Sequence, residues 1–274
     1  MAISTDAIDS VVSINGLRFH YRDWRNAAAQ PMVLVHGFSG LGRAWDGVAR
    51  ALSEKRRVLV PDLRGHGESD WAKEYTWQLM VDDLDGFVRA LGLDHFALFG
   101  HSLGGRLAYM YAGQHPEKLE RLVICDVGPE VTTGGNQVVA AIQAAQVTFG
   151  DFDEALKARR GAAPKALDDE LRHSVEHNLV KTAEGRLAWR SDPSLTQWLP
   201  KLRPDAELQW DSLRRISCPT RIVKAELGGT LALETAQQMT QTIPHCTLVE
   251  VAGSGHNMQL ENPKGLIAAV SDFI

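Results

Sequence analysis

Ser102 lies in Gly100-His101-Ser102-Leu103-Gly104, between an apolar strand-like run from His95 to Phe99 and a helix-like run from Arg106 to Gln114. In that context G-x-S-x-G describes a sharp strand-to-helix turn that presents a serine hydroxyl at the carboxyl edge of a sheet. The glycines are needed where neighbouring backbone packs too closely for side chains. A serine hydroxyl is a weak nucleophile at neutral pH, so it requires a base within hydrogen-bond reach and donors for the oxyanion formed on attack. His256, in Gly253-Ser254-Gly255-His256-Asn257 after the strand-like Val249-Glu250-Val251, is the candidate base. The other histidines have simpler places: His36 and His66 in glycine loops, His101 inside the turn itself, and His173 and His177 at helical spacing. No third ligand stands at a supporting spacing to that pair, so no metal site is expected.

These residues need a frame that brings distant loops to one edge. Strand-like segments fall near residues 12–14, 17–21, 32–36, 58–61, 96–99 and 122–125, with helix-like segments near 45–52, 76–91 and 103–114. Such alternation predicts an α/β fold, a mostly parallel twisted sheet flanked by helices. From about 129 to 204 the chain turns mostly helix-like and rich in Ala, Arg and Glu with no clear buried strand, which predicts a helical cap inserted after strand six. The sheet pattern resumes at 218–224 and 247–251, with helices at 232–243 and 263–273. The expected organisation is therefore a core of residues 1–128 and 205–274 carrying a lid of residues 129–204.

The composition, 44% hydrophobic and 23% charged with 29 Lys+Arg against 34 Asp+Glu, is that of an ordinary globular protein of net charge −5 and gives no reason to expect a nucleic-acid partner. The first ten residues lack both a basic start and an apolar block, and no apolar stretch approaches the roughly 20 residues that span a bilayer. A cytoplasmic location without membrane association is expected. Cys125, Cys218 and Cys246, odd in number and widely spaced, read as reduced thiols in or beside core strands. No cofactor is expected, the partner is a small-molecule substrate, and the sequence gives no oligomeric state.

With the loops Val35-His36-Gly37-Phe38 and Asp62-Leu63-Arg64-Gly65-His66-Gly67 ahead of the serine and His256 behind it, the chain resembles the α/β-hydrolase superfamily from about Val11 to Ile274. The resemblance implies an oxyanion hole built from the backbone N–H of Leu103 and of Phe38. In most members the acid that orients the histidine follows strand seven. The matching run here, Pro219-Thr220-Arg221-Ile222-Val223-Lys224-Ala225-Glu226-Leu227-Gly228-Gly229, has glycine where that aspartate would stand. Some members draw the acid from the end of strand six instead, which makes Asp126 the expected third residue, with Glu226, or no acid at all, as alternatives.

Shorter stretches, His36 to Gly40, Ser102 to Arg106, and Gly255 to Asn257 with Glu261-Asn262-Pro263, resemble the menaquinone-pathway synthase that eliminates pyruvate from a succinyl-bearing cyclohexadiene. That likeness implies a carboxylate-binding pocket more than the same reaction. Arg106, one helical turn beyond Ser102, and Arg159, Arg160 and Arg190 in the lid are the candidate anion contacts. Trp189 heads a group of aromatics suited to an apolar pocket roof. The expected activity is hydrolysis of an ester, lactone or amide of a small molecule able to carry a carboxylate. Carbon–carbon bond hydrolysis or a lyase reaction on the same serine and histidine, cofactor-independent oxygenation, and non-catalytic ligand reception are the alternatives.

Overall fold

Eight strands form one sheet in the order β1-β2-β4-β3-β5-β6-β10-β11 in a computed structural model that describes residues 7–26, 28–130, 132–145, 147–202 and 205–274. The expectations for residues 1–6 and for the lid boundary at 204 fall on residues outside those described. In chain order the strands are β1 (Ile8–Ile14), β2 (Leu17–Trp24), β3 (Pro31–Val35), β4 (Arg57–Pro61), β5 (Phe96–His101) and β6 (Leu119–Cys125). Three short strands follow, β7 (Thr148–Phe149), β8 (Leu179–Lys181) and β9 (Leu187–Trp189), before β10 (Thr220–Ala225) and β11 (Cys246–Val251) return to the main sheet. β1 pairs antiparallel with β2 and β2 with β4, while every other neighbour in the sheet is parallel.

The burial of each strand follows its place. β3 and β5, in the middle of the sheet, are almost wholly buried runs, Pro-Met-Val-Leu-Val and Phe-Ala-Leu-Phe-Gly-His, as parallel strands covered on both faces require. One face carries α2 (Trp77–Ala90), α3 (Leu103–Gln114), α8 (Ala206–Arg214) and α9 (Leu233–Thr242), whose apolar residues, among them Val81, Leu107 and Met239, join one core cluster with Leu98 and Ile124. The opposite face carries α1 (Asp46–Leu52) and α11 (Pro263–Ser271), with Val48, Leu266 and Val270 packed on Leu34, Phe99 and Val223. α2 is amphipathic, with Met80, Val81, Leu84, Phe87 and Val88 buried, and Thr76 caps it by accepting the Leu79 N–H at 3.3 Å.

Between β6 and α8 lie α4 (Thr133–Ala144), α5 (Phe152–Ala162), α6 (Asp168–Asn178) and α7 (Leu195–Trp198). Beside these helices β7, β9 and β8 form a separate three-stranded antiparallel sheet that the sequence pattern does not reveal. Strands of two or three residues are too short to show a period of two. They close over a small core of Phe149, Ala155, Val175 and Leu179, with Trp189 edge-on to Phe149 at 4.9 Å between centroids. Among the described residues no helix is long and apolar enough to cross a membrane.

The inserted segment is fastened to the rest at named points. His173 Nε2 meets Asp46 Oδ2 at 3.0 Å, the Leu167 N–H donates to Leu260 O at 2.8 Å, and the Tyr75 hydroxyl donates to Asp192 at 2.5 Å. Asp46 and Glu170 face His173 and raise its pKa, the Asp46 hydrogen bond most strongly and in spite of partial burial. A raised histidine pKa contributes stability that is complete below the unfolded value of about 6.5 and is lost as pH rises through the folded value. Hydrogen exchange along α6, corrected for intrinsic rate, should therefore quicken between pH 6 and pH 8. His173→Gln should flatten that dependence, and an equally steep profile in the variant would assign it to another group.

Candidate active site

The turn at Ser102 depends on close backbone approach. A Cβ on Gly100 would overlap the carbonyl of Gly104, and one on Gly104 would overlap the carbonyl oxygens of Val35 and His36. Between these glycines Ser102 adopts φ +55° and ψ −117°, a backbone conformation that side chains other than glycine rarely take. Its N–H donates to Cys125 O at 3.0 Å, and its carbonyl accepts the Arg106 N–H at 3.1 Å, so the strained residue is held from both sides. Of the five non-glycine residues with positive φ among those described, three (Ser39, Ser102 and Asp126) lie at this edge of the sheet.

His256 stands between Ser102 and Asp126. Its Nε2 is 3.0 Å from Ser102 Oγ and its Nδ1 is 2.7 Å from Asp126 Oδ2. A carboxylate can only accept, so Nδ1 carries the proton and Nε2 is left as the acceptor of the serine hydroxyl. Asp126 is fully buried, which opposes its charge. Its bond to His256, together with the N–H groups of Ala225 at 3.1 Å and Thr230 at 3.0 Å, nevertheless holds its carboxyl below the ordinary value, and so ionised at neutral pH. The Thr230 hydroxyl donates to the Asp126 carbonyl and fixes the residue's left-handed backbone.

Glu226, the alternative acid, is exposed and its Oε2 accepts the Gly253 N–H at 2.7 Å, away from the histidine ring. Of Gly228 and Gly229, the two positions where a strand-seven acid could align, Gly229 lies against Asp126 itself. A Cβ there would overlap both carboxylate oxygens, whereas one on Gly228 meets nothing within 4 Å. Sequence reading marks Gly229 only as a missing aspartate. Its physical part is to leave room for the other acid.

The Phe38 loop reaches the same place. A Cβ on Gly37 would stand 3.1 Å from Ser102 Cβ and from His101 Nδ1. His36 Nδ1 bonds the Gly37 carbonyl at 2.7 Å and its Nε2 accepts the Leu63 N–H at 3.1 Å, a loop-bracing role that His66 shares from 5.2 Å. Leu103 opens α3, so its N–H has no acceptor within the helix. His101 is buried, stacks on His256 at 4.7 Å and bonds the His256 carbonyl through Nε2 at 2.8 Å. Burial pushes its pKa down to about 3, so it supports His256 as a neutral ring. His173 and His177 stack at 4.4 Å, but no group of metal-ligating side chains forms among the described residues.

A cavity of about 1040 Å³ opens above these residues and is lined by Phe38, Ser102 and His256 below and by Ile142, Arg159 and Trp189 of the inserted segment above. Of the five side chains the sequence offers as substrate contacts, Arg159 and Trp189 are among the cavity-lining residues. The other three are bound elsewhere. Arg106 is buried, donates to Gly128 O at 2.7 Å and lies 5.9 Å over the Trp77 ring, so the shared helix face that spacing implies leads into the core. Arg160 is bound to the Ala166 carbonyl and to Asp168, and Arg190 Nε donates to His177 O at 3.0 Å. None of these three lines the cavity.

The Asp126–Gly229 contact has a measurable consequence. Gly228 has φ +89°, so Gly228→Ala should cost about 1–2 kcal/mol in denaturant unfolding. Gly229→Ala carries no such φ cost but must move a buried carboxylate off its donors, and should cost more and lose the Asp126–His256 bond in a crystal structure. Equal costs with that bond intact would remove the steric coupling.

A family model described as alpha/beta hydrolase fold matches residues 30–263. The chain is 28% identical over 261 residues to an sn-1-specific diacylglycerol lipase of Mus musculus, covering 91% of this chain and 82% of that one. It is 29% identical over 272 residues to a 3-hydroxybutyrate-oligomer hydrolase of Cupriavidus necator, covering 93% and 92%. The crystal structure of E-2-(acetamidomethylene)succinate hydrolase superposes with a TM-score of 0.88 at 24% identity, over 97% of this chain and 98% of the other. A family match over most of the length, and a sheet of the corresponding kind, place this chain in the α/β-hydrolase family.

Proposed function

We propose that this chain is a serine hydrolase that cleaves an ester, lactone or amide of a small molecule through an acyl-enzyme. The observation that carries the reading is the unbroken series Asp126–His256–Ser102, with contacts of 2.7 and 3.0 Å, at the floor of the cavity. Ser102 Oγ attacks the carbonyl carbon as its proton passes to His256 Nε2. The oxyanion faces the N–H groups of Phe38 and Leu103, and the imidazolium is stabilised by the ionised Asp126. His256 then returns the proton to the leaving oxygen or nitrogen, and the acyl group stays on Ser102. Water, deprotonated by the same Nε2, attacks the acyl carbon and releases the acid with Ser102 restored.

The names of the two relatives, a lipase and a hydrolase, agree with this class of reaction. The inserted segment, which supplies one wall of the cavity, is the lid that selects the substrate in this reading.

A panel of activated esters, lactones and amides, with a fluorophosphonate as covalent probe, tests the assignment. One phosphonyl adduct should form, on Ser102. Ser102→Ala and His256→Ala should each lower kcat by about 10⁴ to 10⁶-fold, because such residues act as a unit. Asp126→Asn should lower it by up to about 10⁴-fold through the wrong imidazole tautomer, while Glu226→Gln does far less. Near-normal turnover by Ser102→Ala would overturn the mechanism, and an active Asp126→Asn beside an inactive Glu226→Gln would overturn the choice of acid.

A further inference from the structure

Five charged side chains besides the histidines line the cavity: Arg159, Lys165, Lys181, Asp192 and Glu261. Both acids are already engaged with protein donors. Asp192 accepts the Tyr75 hydroxyl at 2.5 Å and the Ser194 N–H at 2.8 Å, and Glu261 accepts the Gly255 N–H at 2.6 Å. Lys165 and Lys181 are exposed at the rim. Arg159 is partly buried, and among the described residues no carboxylate pairs with it. Burial alone acts on its guanidinium, drawing its pKa down with no counter-charge to oppose it.

Its neighbour provides the comparison. Arg160 occupies the same last turn of α5, where a cation suits the helix C-terminus, and it is satisfied there by the Ala166 carbonyl and Asp168. Arg159 sits in the same turn but lines the cavity, and among the described residues no side-chain acceptor meets its guanidinium. The turn that carries it also lies beside the reacting groups, since Asn257, next to His256, donates its side-chain amide to Ala162 O at 3.4 Å. A partly desolvated guanidinium without an acceptor is a standing cost that a bound anion would relieve with planar, charge-assisted hydrogen bonds.

We infer that Arg159 is the specificity-determining residue of this cavity and binds an anionic group, a carboxylate or a phosphate monoester, on the substrate whose ester or amide Ser102 cleaves. The inference rests on the acyl-enzyme reading of the same cavity. Its test compares mono-p-nitrophenyl glutarate with neutral p-nitrophenyl pentanoate. In Arg159→Met the ratio of kcat/KM for the charged ester over the neutral one should fall tenfold to a hundredfold, through KM. In Arg160→Met the ratio should hold. An unchanged ratio in Arg159→Met, or an equal fall in both variants, would overturn the inference. Ser102→Ala that still turned over either ester would instead sink the acyl-enzyme reading, whatever the ratio did. A binding measurement without turnover makes the second check: glutarate or propyl phosphate should raise the Tm of Ser102→Ala protein above its value with the same concentration of glutaramide. The larger rise identifies the anion, and equal Tm values in all three would overturn the assignment even if Arg159→Met failed to fold.

Discussion

Where β5 runs into α3, the carbonyl of Gly104 and the carbonyls of Val35 and His36 occupy the space that side chains at positions 100 and 104 would need. The close approach of these backbones fixes the rest of the site. It forces the reversal at Ser102, whose left-handed conformation costs on the order of 1–3 kcal/mol. The surroundings that maintain it are the wholly buried Leu107, Ala108, Tyr109 and Tyr111 of α3 and the backbone bonds to Cys125 and Arg106. Because β3 lies beside β5 in parallel register, Val35 against Gly100, the loop after β3 arrives at the same edge and brings Phe38 with it. One steric constraint therefore places both the hydroxyl and a backbone donor.

A second constraint places the acid. β6 and β10 pair in parallel, with Cys125 opposite Val223, so residues just past either strand end can approach the same histidine. At Gly229 a side chain and the Asp126 carboxylate exclude each other, since they would occupy the same volume. Glycine at 229 and aspartate at 126 are then parts of a single packing arrangement. The donors around Asp126 come from the end of β10 and the loop after it, Ala225 and Thr230 among them. That loop is a cradle.

The eight strands of the sheet and the helices after β4 and β5 were legible because burial on both faces writes continuous apolar runs and amphipathic stripes. Ser102 and Asp126 stand out in the sequence because each directly follows a strand-like run, and His256 because it lies in a glycine-rich loop beyond β11. The small sheet of the inserted segment was not, since Thr148–Phe149 and its partners are too short to carry a period. Arg106 shows a different limit. Helical spacing puts it on the face of Ser102, but whether that face meets a cavity or Trp77 and Gly128 depends on packing that spacing does not encode. Arg159 and Arg160 are adjacent and of one type, and their different surroundings come from the chain after the helix, where Ala166 and Asp168 capture only the second.

The inserted segment touches the reacting groups more directly than a detachable cover would. Asn178 at the end of α6 donates to Ser39 O at 3.4 Å, one residue beyond Phe38, and Ser39 is itself left-handed. Asn257 donates to Ala162, and His173 holds Asp46. The wall of the cavity is thus bonded to the Phe38–Ser39 loop on one side and to the His256 loop on the other. A substitution that reshapes that wall also loads the backbone that positions Phe38 and His256. In the proposed hydrolase, selectivity and rate are therefore coupled through these contacts, and the apolar interior of the segment, with Phe149 and Val175 wholly buried or nearly so, gives it the stiffness to transmit the load.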